Sequence, residues 1–160
     1  HRVIKALPEL IKRYPNIHYH IVGLPTHKAY LLQLAEKLKV SQHITFHGQA
    51  KDRYTLASFY KGCDLFVMLS KNQPNGDVEG FGIAILEANY FGKPAIGSRG
   101  CGIEEAIQDH YNGILVDGDS SPEIVNAVQE ILSHQKYYKA QSKTWSLKHN
   151  WDEIVEKIME

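Results

Sequence analysis

An α/β fold, with a parallel sheet covered by helices on both faces, is what three observations in the sequence predict. Short β-rich runs alternate with helical segments of about ten residues along the chain. One run, Asp64 to Leu69, is continuously apolar, as a strand buried on both faces must be. The strands run into Gly23, the 47–50 turn, the 70–82 loop and the 98–102 loop. These turns therefore gather at the carboxyl end of the sheet, where such folds bind ligands.

Each element has its own warrant. Arg2 to Tyr14 reads as a helix, with Pro8 either kinking it or delaying its start. Ile17 to Val22 is a β-rich run closed by Gly23. Leu31, Leu32, Leu34, Ala35 and Leu38 fall at helical spacing, so Lys28 to Leu38 is a helix. Ile44 to Phe46 is a short strand ending at Gly48, and Asp52 caps a helix over Arg53 to Tyr60. The Asp64–Leu69 strand leads into a loop punctuated by Pro74 and Gly76. Gly82 to Phe91 is a helix and Pro94 to Gly97 a strand. A short helix starts at Gly102 or Ile103 and runs through Ile107, and Gly113 precedes the strand Ile114 to Val116. Ser121-Pro122-Glu123 opens a helix to Ser133 by N-cap and first-turn proline logic. Tyr137 to Lys148 and Trp151 to Met159 close the chain as helices.

The 160 residues suffice for a single domain, 1–160. A hydrophobic content of 43% and a charged content of 22% are those of an ordinary globular protein. Net charge is zero and no long basic run occurs, which argues against nucleic acid as the main partner. No apolar stretch approaches 18 residues, so no spanning helix is predicted. Cys63 and Cys101 make no disulfide framework and suit a reducing cytoplasm. The chain opens at His1 already inside a helical pattern.

Chemistry concentrates between Asp77 and Ala88, in the run DVEGFGIAILEA. Glu79 and Glu87 flank a Gly-Phe-Gly turn and the start of an apolar helix. A helix N-terminus offers N–H groups and positive dipole character to an anion, and glycine lets a phosphate approach the backbone. Five helical residues advance about 7–8 Å, so a diphosphate on the helix start has a carboxylate beyond each end. Carboxylates accept hydrogen bonds from hydroxyls. The pattern suits a ligand with a sugar on both sides of a diphosphate, a nucleotide-sugar. Glu87 reads either as an exposed helix carboxylate or as a ligand group. The apolar surroundings, Ile83 to Leu86 and Ala88, predict a buried helix, on which a carboxylate needs a partner. Gly82 alone is as consistent with a plain helix start.

These residues resemble the E-x7-E motif of the retaining family 4 glycosyltransferases, the group 1 glycosyl transferases. Phe91 to Ser98 resembles that family's G-x-P-V-I-x-S segment, Gly100 to Ile107 its G-G-x-x-E-x-I segment, and Asn112 to Val116 its N-G-x-L-V strand. His20 to Gly23 and Phe46 to Gly48 match its earlier strand ends. The resemblance covers nearly the whole chain. It implies a Rossmann-like donor-binding domain, the C-terminal half of a GT-B enzyme. It also implies a fragment lacking an N-terminal acceptor domain and a first strand, the latter with a loop that supplies an Arg and a Lys, and hence inactive alone. Glu79 is implied as the catalytic-centre carboxylate on the transferred sugar. Glu87 is implied on the ribose hydroxyls, and Phe81, Gly82, Ile83, Gly48, Gly100 and Gly102 as further donor-binding positions. The implied donor is a GDP- or UDP-sugar, the context leaning to GDP-mannose, with a hexosyl unit passed to a glycan or lipid acceptor. No cofactor and no metal are implied. The setting is cytoplasmic, with peripheral membrane association of the full-length enzyme left open. Alternatives are a sugar-nucleotide epimerase of the same architecture and a non-catalytic binding or scaffold domain.

Other candidates carry less. Arg99 and Lys71 read equally as phosphate contacts or surface charges, and Cys101 stands where the family has Gly or Ser without a histidine to activate it. His43 and His47 are about 13 Å apart along a strand, and His18 and His20 share a strand face without further ligand spacing. Trp145 and Tyr137-Tyr138 read as packing residues, and Trp151 as an anchor where the last helix crosses to the preceding domain. No G-x-G-x-x-G follows a strand, which argues against a dinucleotide-dependent oxidoreductase.

Overall fold

The computed structural model describes residues 1–71 and 82–149. In chain order the elements are α1 (Arg2–Arg13), β1 (Tyr19–Val22), α2 (Lys28–Lys37), β2 (Ile44–Gly48), α3 (Arg53–Gly62), β3 (Phe66–Met68), α4 (Ile83–Tyr90), β4 (Ala95–Ser98), β5 (Gly113–Val116), α5 (Ser121–Ser133) and α6 (Gln135–Leu147). Short 3-10 turns occupy Ser41–His43 and Gly102–Glu105. Among the described residues all strand pairs are parallel, as expected.

The strands do not form one continuous sheet. Among the described residues β1 pairs only with β2, and β3, β4 and β5 form a separate three-stranded sheet. A cavity of about 120 Å³ is lined by Tyr19 of β1, by Val67 and Leu69 in and after β3, and by His1, Arg2 and Val3 at the start of α1. Arg2 donates from Nη1 to the Leu69 carbonyl at 2.7 Å and from Nε to Asp119 at 2.8 Å, so α1 ties the end of β3 to the loop after β5.

Alternation sorts the three-stranded sheet into two cores. Val67, Ile96, Ile114 and Val116 face a large cluster with Ile4, Leu7 and Leu10 of α1 and Ile124, Val128 and Ile131 of α5. Phe66, Met68, Ala95 and Leu115 face a smaller one with Ile85 of α4 and Ile103, Ala106 and Ile107. Pro8 does not delay the start of α1, which begins at Arg2 and runs through it. The helix buries Ile4, Ala6, Leu7 and Leu10 on one face, and that burial outweighs the lost backbone bond. Asp52 does cap α3, accepting from the Thr55 N–H at 2.7 Å. The cap of α5 is Ser120 instead of Ser121, its hydroxyl accepting from Glu123 N–H, with the proline in the first turn. The expected helix to Ile107 is only a 3-10 turn ending at Glu105. The Trp151–Met159 helix and Trp151 lie outside the described residues.

Two glycines are required by close packing. A Cβ on Gly113 would sit 2.2 Å from the Ala95 carbonyl oxygen across the β4–β5 ladder. One on Gly97 would meet Ile103 and Ile107 at 2.5 and 2.6 Å. Beside Gly113, Asn112 is wholly buried and fully bonded. It donates to Asn89 Oδ1 (2.6 Å) and the Ala106 carbonyl (3.0 Å) and accepts from the Gln108 N–H (2.7 Å). Trp145 Nε1 donates to that same Ala106 carbonyl, so α6 is joined to the network.

Candidate functional site

The site begins at the N-terminus of α4. Gly82 precedes the helix in the left-handed region (φ 76°, ψ 52°), a conformation that favours glycine, and it packs on Ile85 and Ile103. The chain thus turns directly into α4 beside the Gly102–Glu105 turn. Ile83 is the first helical residue and is 64% exposed.

The burial of α4 differs from the expectation. Ile85, Ala88 and Asn89 are buried, but Ile83, Glu87 and Tyr90 are exposed. The helical period puts positions 83, 87 and 90 on one stripe and turns the other side to the core. Apolar composition therefore misreports the setting of Glu87, which stands on the open face. It does have a partner: Tyr60 of α3 donates its hydroxyl to Glu87 Oε2 at 2.9 Å. Nothing in one dimension signals this contact, because it depends on α3 lying beside α4. Burial, and then the Glu87 carboxylate, push the Tyr60 hydroxyl well above the ordinary tyrosine range.

The remaining expected residues sit at the carboxyl ends of strands. Gly48 ends β2 with φ 71°, and its carbonyl accepts from Gly23 N–H at 2.9 Å, joining the turns after β1 and β2. Gly48 and Gly23, with Leu24, Lys28, Leu31 and Phe46, line a largely apolar cleft of about 150 Å³. Gly100 follows β4 with φ 79°, and its N–H donates to the Glu104 carboxylate at 2.7 Å. Gly102 opens the 3-10 turn that packs against Gly82 through Ile103. The structure thus gathers Gly82, Ile83, Glu87 and the Gly100–Gly102 turn around α4. Gly48 stands on the other sheet, joined to α4 through α3. Glu79 and Phe81 lie outside the described residues.

The two cations of open role are ion-paired: Lys71 with Asp119 at 3.2 Å and Arg99 with Glu123 at 2.9 Å. Cys101 is buried with Sγ beside Ser98 and the Ser70 carbonyl, and burial raises the Cys63 thiol, so neither has the setting of a nucleophile. His47 comes onto the face of His18 and His20, its Nε2 2.9 Å from His20 Nδ1. Among the described residues, however, no three His, Cys, Asp or Glu side chains are placed to hold a metal.

A helix N-terminus opened by a left-handed glycine, with an oriented carboxylate on its exposed stripe at the carboxyl end of a parallel sheet, is a place for an anionic ligand that carries hydroxyls. Comparison with known proteins agrees with this geometry. Residues 1–146 match the family model of the glycosyl transferases group 1. The chain belongs to that family. Among curated group 1 relatives, it is 33% identical over 153 residues to a GDP-mannose-dependent alpha-(1-6)-phosphatidylinositol monomannoside mannosyltransferase of Mycolicibacterium smegmatis, covering 93% of this chain and 40% of that protein. It is 27% identical to a D-inositol 3-phosphate glycosyltransferase of Corynebacterium urealyticum, covering all of this chain and 38% of the relative. The chain thus spans about two fifths of the length of these relatives. Among solved structures it superimposes on Anabaena Alr3699/HepE in complex with UDP-glucose (TM-score 0.80, 21% identity, 99% of this chain and 43% of that one). It also superimposes on the pneumococcal O-GlcNAc transferase GtfA in complex with UDP and GlcNAc (TM-score 0.79, 21% identity, 99% and 31%). The fold of this group 1 chain is that of the GT-B glycosyltransferases, Rossmann-like with parallel strands. Among the described residues, no helix is long and apolar enough to cross a membrane.

Proposed function

We propose that this chain is the donor-binding domain of a retaining family 4 glycosyltransferase, which transfers a hexosyl unit from a GDP- or UDP-sugar to a glycan or lipid acceptor. The observation that carries the reading is the α4 N-terminus, where Gly82 opens a helix whose exposed stripe begins with Ile83 and continues with Glu87. The first-turn N–H groups and the helix dipole take the diphosphate and stabilise the leaving nucleoside diphosphate as the sugar–phosphate bond breaks. That supply of positive character requires no metal or cofactor. Glu87 accepts from the ribose hydroxyls, and Glu79 from the hydroxyls of the transferred sugar near the reacting carbon. Phe81, Gly82 and Ile83 contribute backbone N–H groups, and the turns at Gly48, Gly100 and Gly102 border the donor. The acceptor is held by another part of the protein, at the cytoplasmic face of a membrane where the acceptor is a lipid. The relatives named as GDP-mannose-dependent support guanine as the base, and the structural neighbours with UDP bound support uracil.

Calorimetric titration with GDP, UDP, ADP and NAD tests the reading. Specific binding of GDP or UDP, weakened about 10–100-fold by Glu87→Ala, is expected for the loss of a charge-assisted bond. Equal binding by wild type and variant sinks the assignment of Glu87. A full-length protein that alters the donor sugar with no acceptor present is an epimerase instead.

A further inference from the structure

We infer that Tyr60 is the positioning residue for Glu87, fixing which carboxylate oxygen faces the nucleotide and thereby setting how strongly the site reads a ribose. This rests on the reading of Glu87 as the ribose acceptor. The two side chains come from different helices and meet through one hydrogen bond, Tyr60 hydroxyl to Glu87 Oε2 at 2.9 Å.

The setting of each partner is unequal. Tyr60 is 7% exposed, whereas Glu87 is exposed. Its ring stacks on Phe91 (centroids 5.9 Å, interplanar angle 17°) and meets Phe66 edge-on at 5.8 Å. The last turn of α3 is fastened as well. Lys93 Nζ donates to the carbonyls of Lys61 (3.0 Å) and Cys63 (2.6 Å), a cation at a helix C-terminus, and Lys61 lies over the Phe91 ring at 5.7 Å. Phe91 and Lys93 follow directly after α4, so the aromatic and lysine contacts lock α3 to the helix that carries Glu87. An exposed glutamate on its own samples several rotamers and pays entropy to bind. Here the immobile tyrosine holds one oxygen, and among the described residues no other hydrogen bond engages the second. Tyr60 remains a proton donor throughout the physiological range, since burial and the adjacent carboxylate oppose its ionisation.

The test compares nucleotides with and without ribose hydroxyls on the full-length protein. GDP and UDP are titrated against their 2′,3′-dideoxy counterparts for wild type, Tyr60→Phe and Glu87→Ala. Tyr60→Phe keeps the ring and removes the hydroxyl. It is expected to weaken the ribonucleotide by about 3–10-fold while leaving the dideoxy form unchanged, so that the preference between them narrows by the same factor. Tyr60→Met, which removes the hydroxyl but keeps an apolar side chain in the same pocket and leaves Glu87 at full length, gives the same change and decides the matter if Tyr60→Phe does not fold. A Tyr60→Phe protein with wild-type preference overturns the inference while leaving Glu87 as the ribose group, provided Glu87→Ala abolishes the preference. If Glu87→Ala leaves the preference intact, the reading of Glu87 fails and the inference with it.

Discussion

The two sheets of this molecule obey the same strand chemistry and reach opposite degrees of enclosure. All four residues of β4 are buried, between the α1/α5 core on one face and the α4 core on the other. In β1 and β2 no residue is fully buried, and His18, His20 and His47 stand exposed on one face. The difference separates two tasks. The three-stranded sheet is the rigid base that aims α4 and the Gly100–Gly102 turn, and small shifts there displace the helix N-terminus. The two-stranded sheet supplies the Gly48 turn from a plate with one wetted face, where substitutions are absorbed.

The largest expected effect comes from one methyl group placed on each sheet. Gly113→Ala drives a Cβ into the Ala95 carbonyl, a backbone atom that cannot swing aside, and should cost several kcal/mol or prevent folding. Gly48→Ala meets nothing within 4 Å and should cost only about 1 kcal/mol, for its positive φ. Denaturant unfolding of the two variants side by side measures the contrast, and equal losses would break it. Asn112→Ala comes next. It strips partners from Asn89, Gln108 N–H and Ala106 in a buried network and should cost on the order of 3 kcal/mol by the same measurement. A loss below about 0.5 kcal/mol would show that the rigidity of this sheet lies in its apolar packing alone. The smallest effect concerns the seam between the sheets. Hydrogen bonds from Arg2 and then Lys71 lower the Asp119 carboxyl from 3.8 to about 2. A lowered carboxylate stabilises the fold above its ordinary value, and that contribution is lost as pH falls from about 4 toward 2. Asp119→Asn should therefore flatten the acid limb of the stability curve, read by thermal unfolding from pH 6 to 2. A limb as steep as wild type would mean that the pair holds in neither state.

Local chemistry was legible where it is decided locally. The Asp52 cap, the first-turn proline of α5 and the alternation of parallel strands with helices each depend on neighbours in sequence, and the structure places them within a residue or two. What failed needed knowledge of packing. The apolar α4 was expected to be buried, yet Ile83, Glu87 and Tyr90 share an open stripe, since composition does not say which side of a helix has a neighbour. The parallel strands were legible, but not that among the described residues they pair as a set of two and a set of three. At the candidate site, the placement of Gly82, Ile83 and Glu87 at one helix start was legible from their spacing. Tyr60 was not, because its relevance arises from a contact 27 positions away.

Arg2 has a bearing on how the fold opens. Its guanidinium holds the Leu69 carbonyl and the Asp119 carboxylate at once. The first turn of α1 therefore cannot fray without releasing the end of β3 and the loop after β5 together. An opening that breaks contacts in two elements costs more than the fraying of an untethered helix end, so one side chain makes the start of α1 part of a larger cooperative unit.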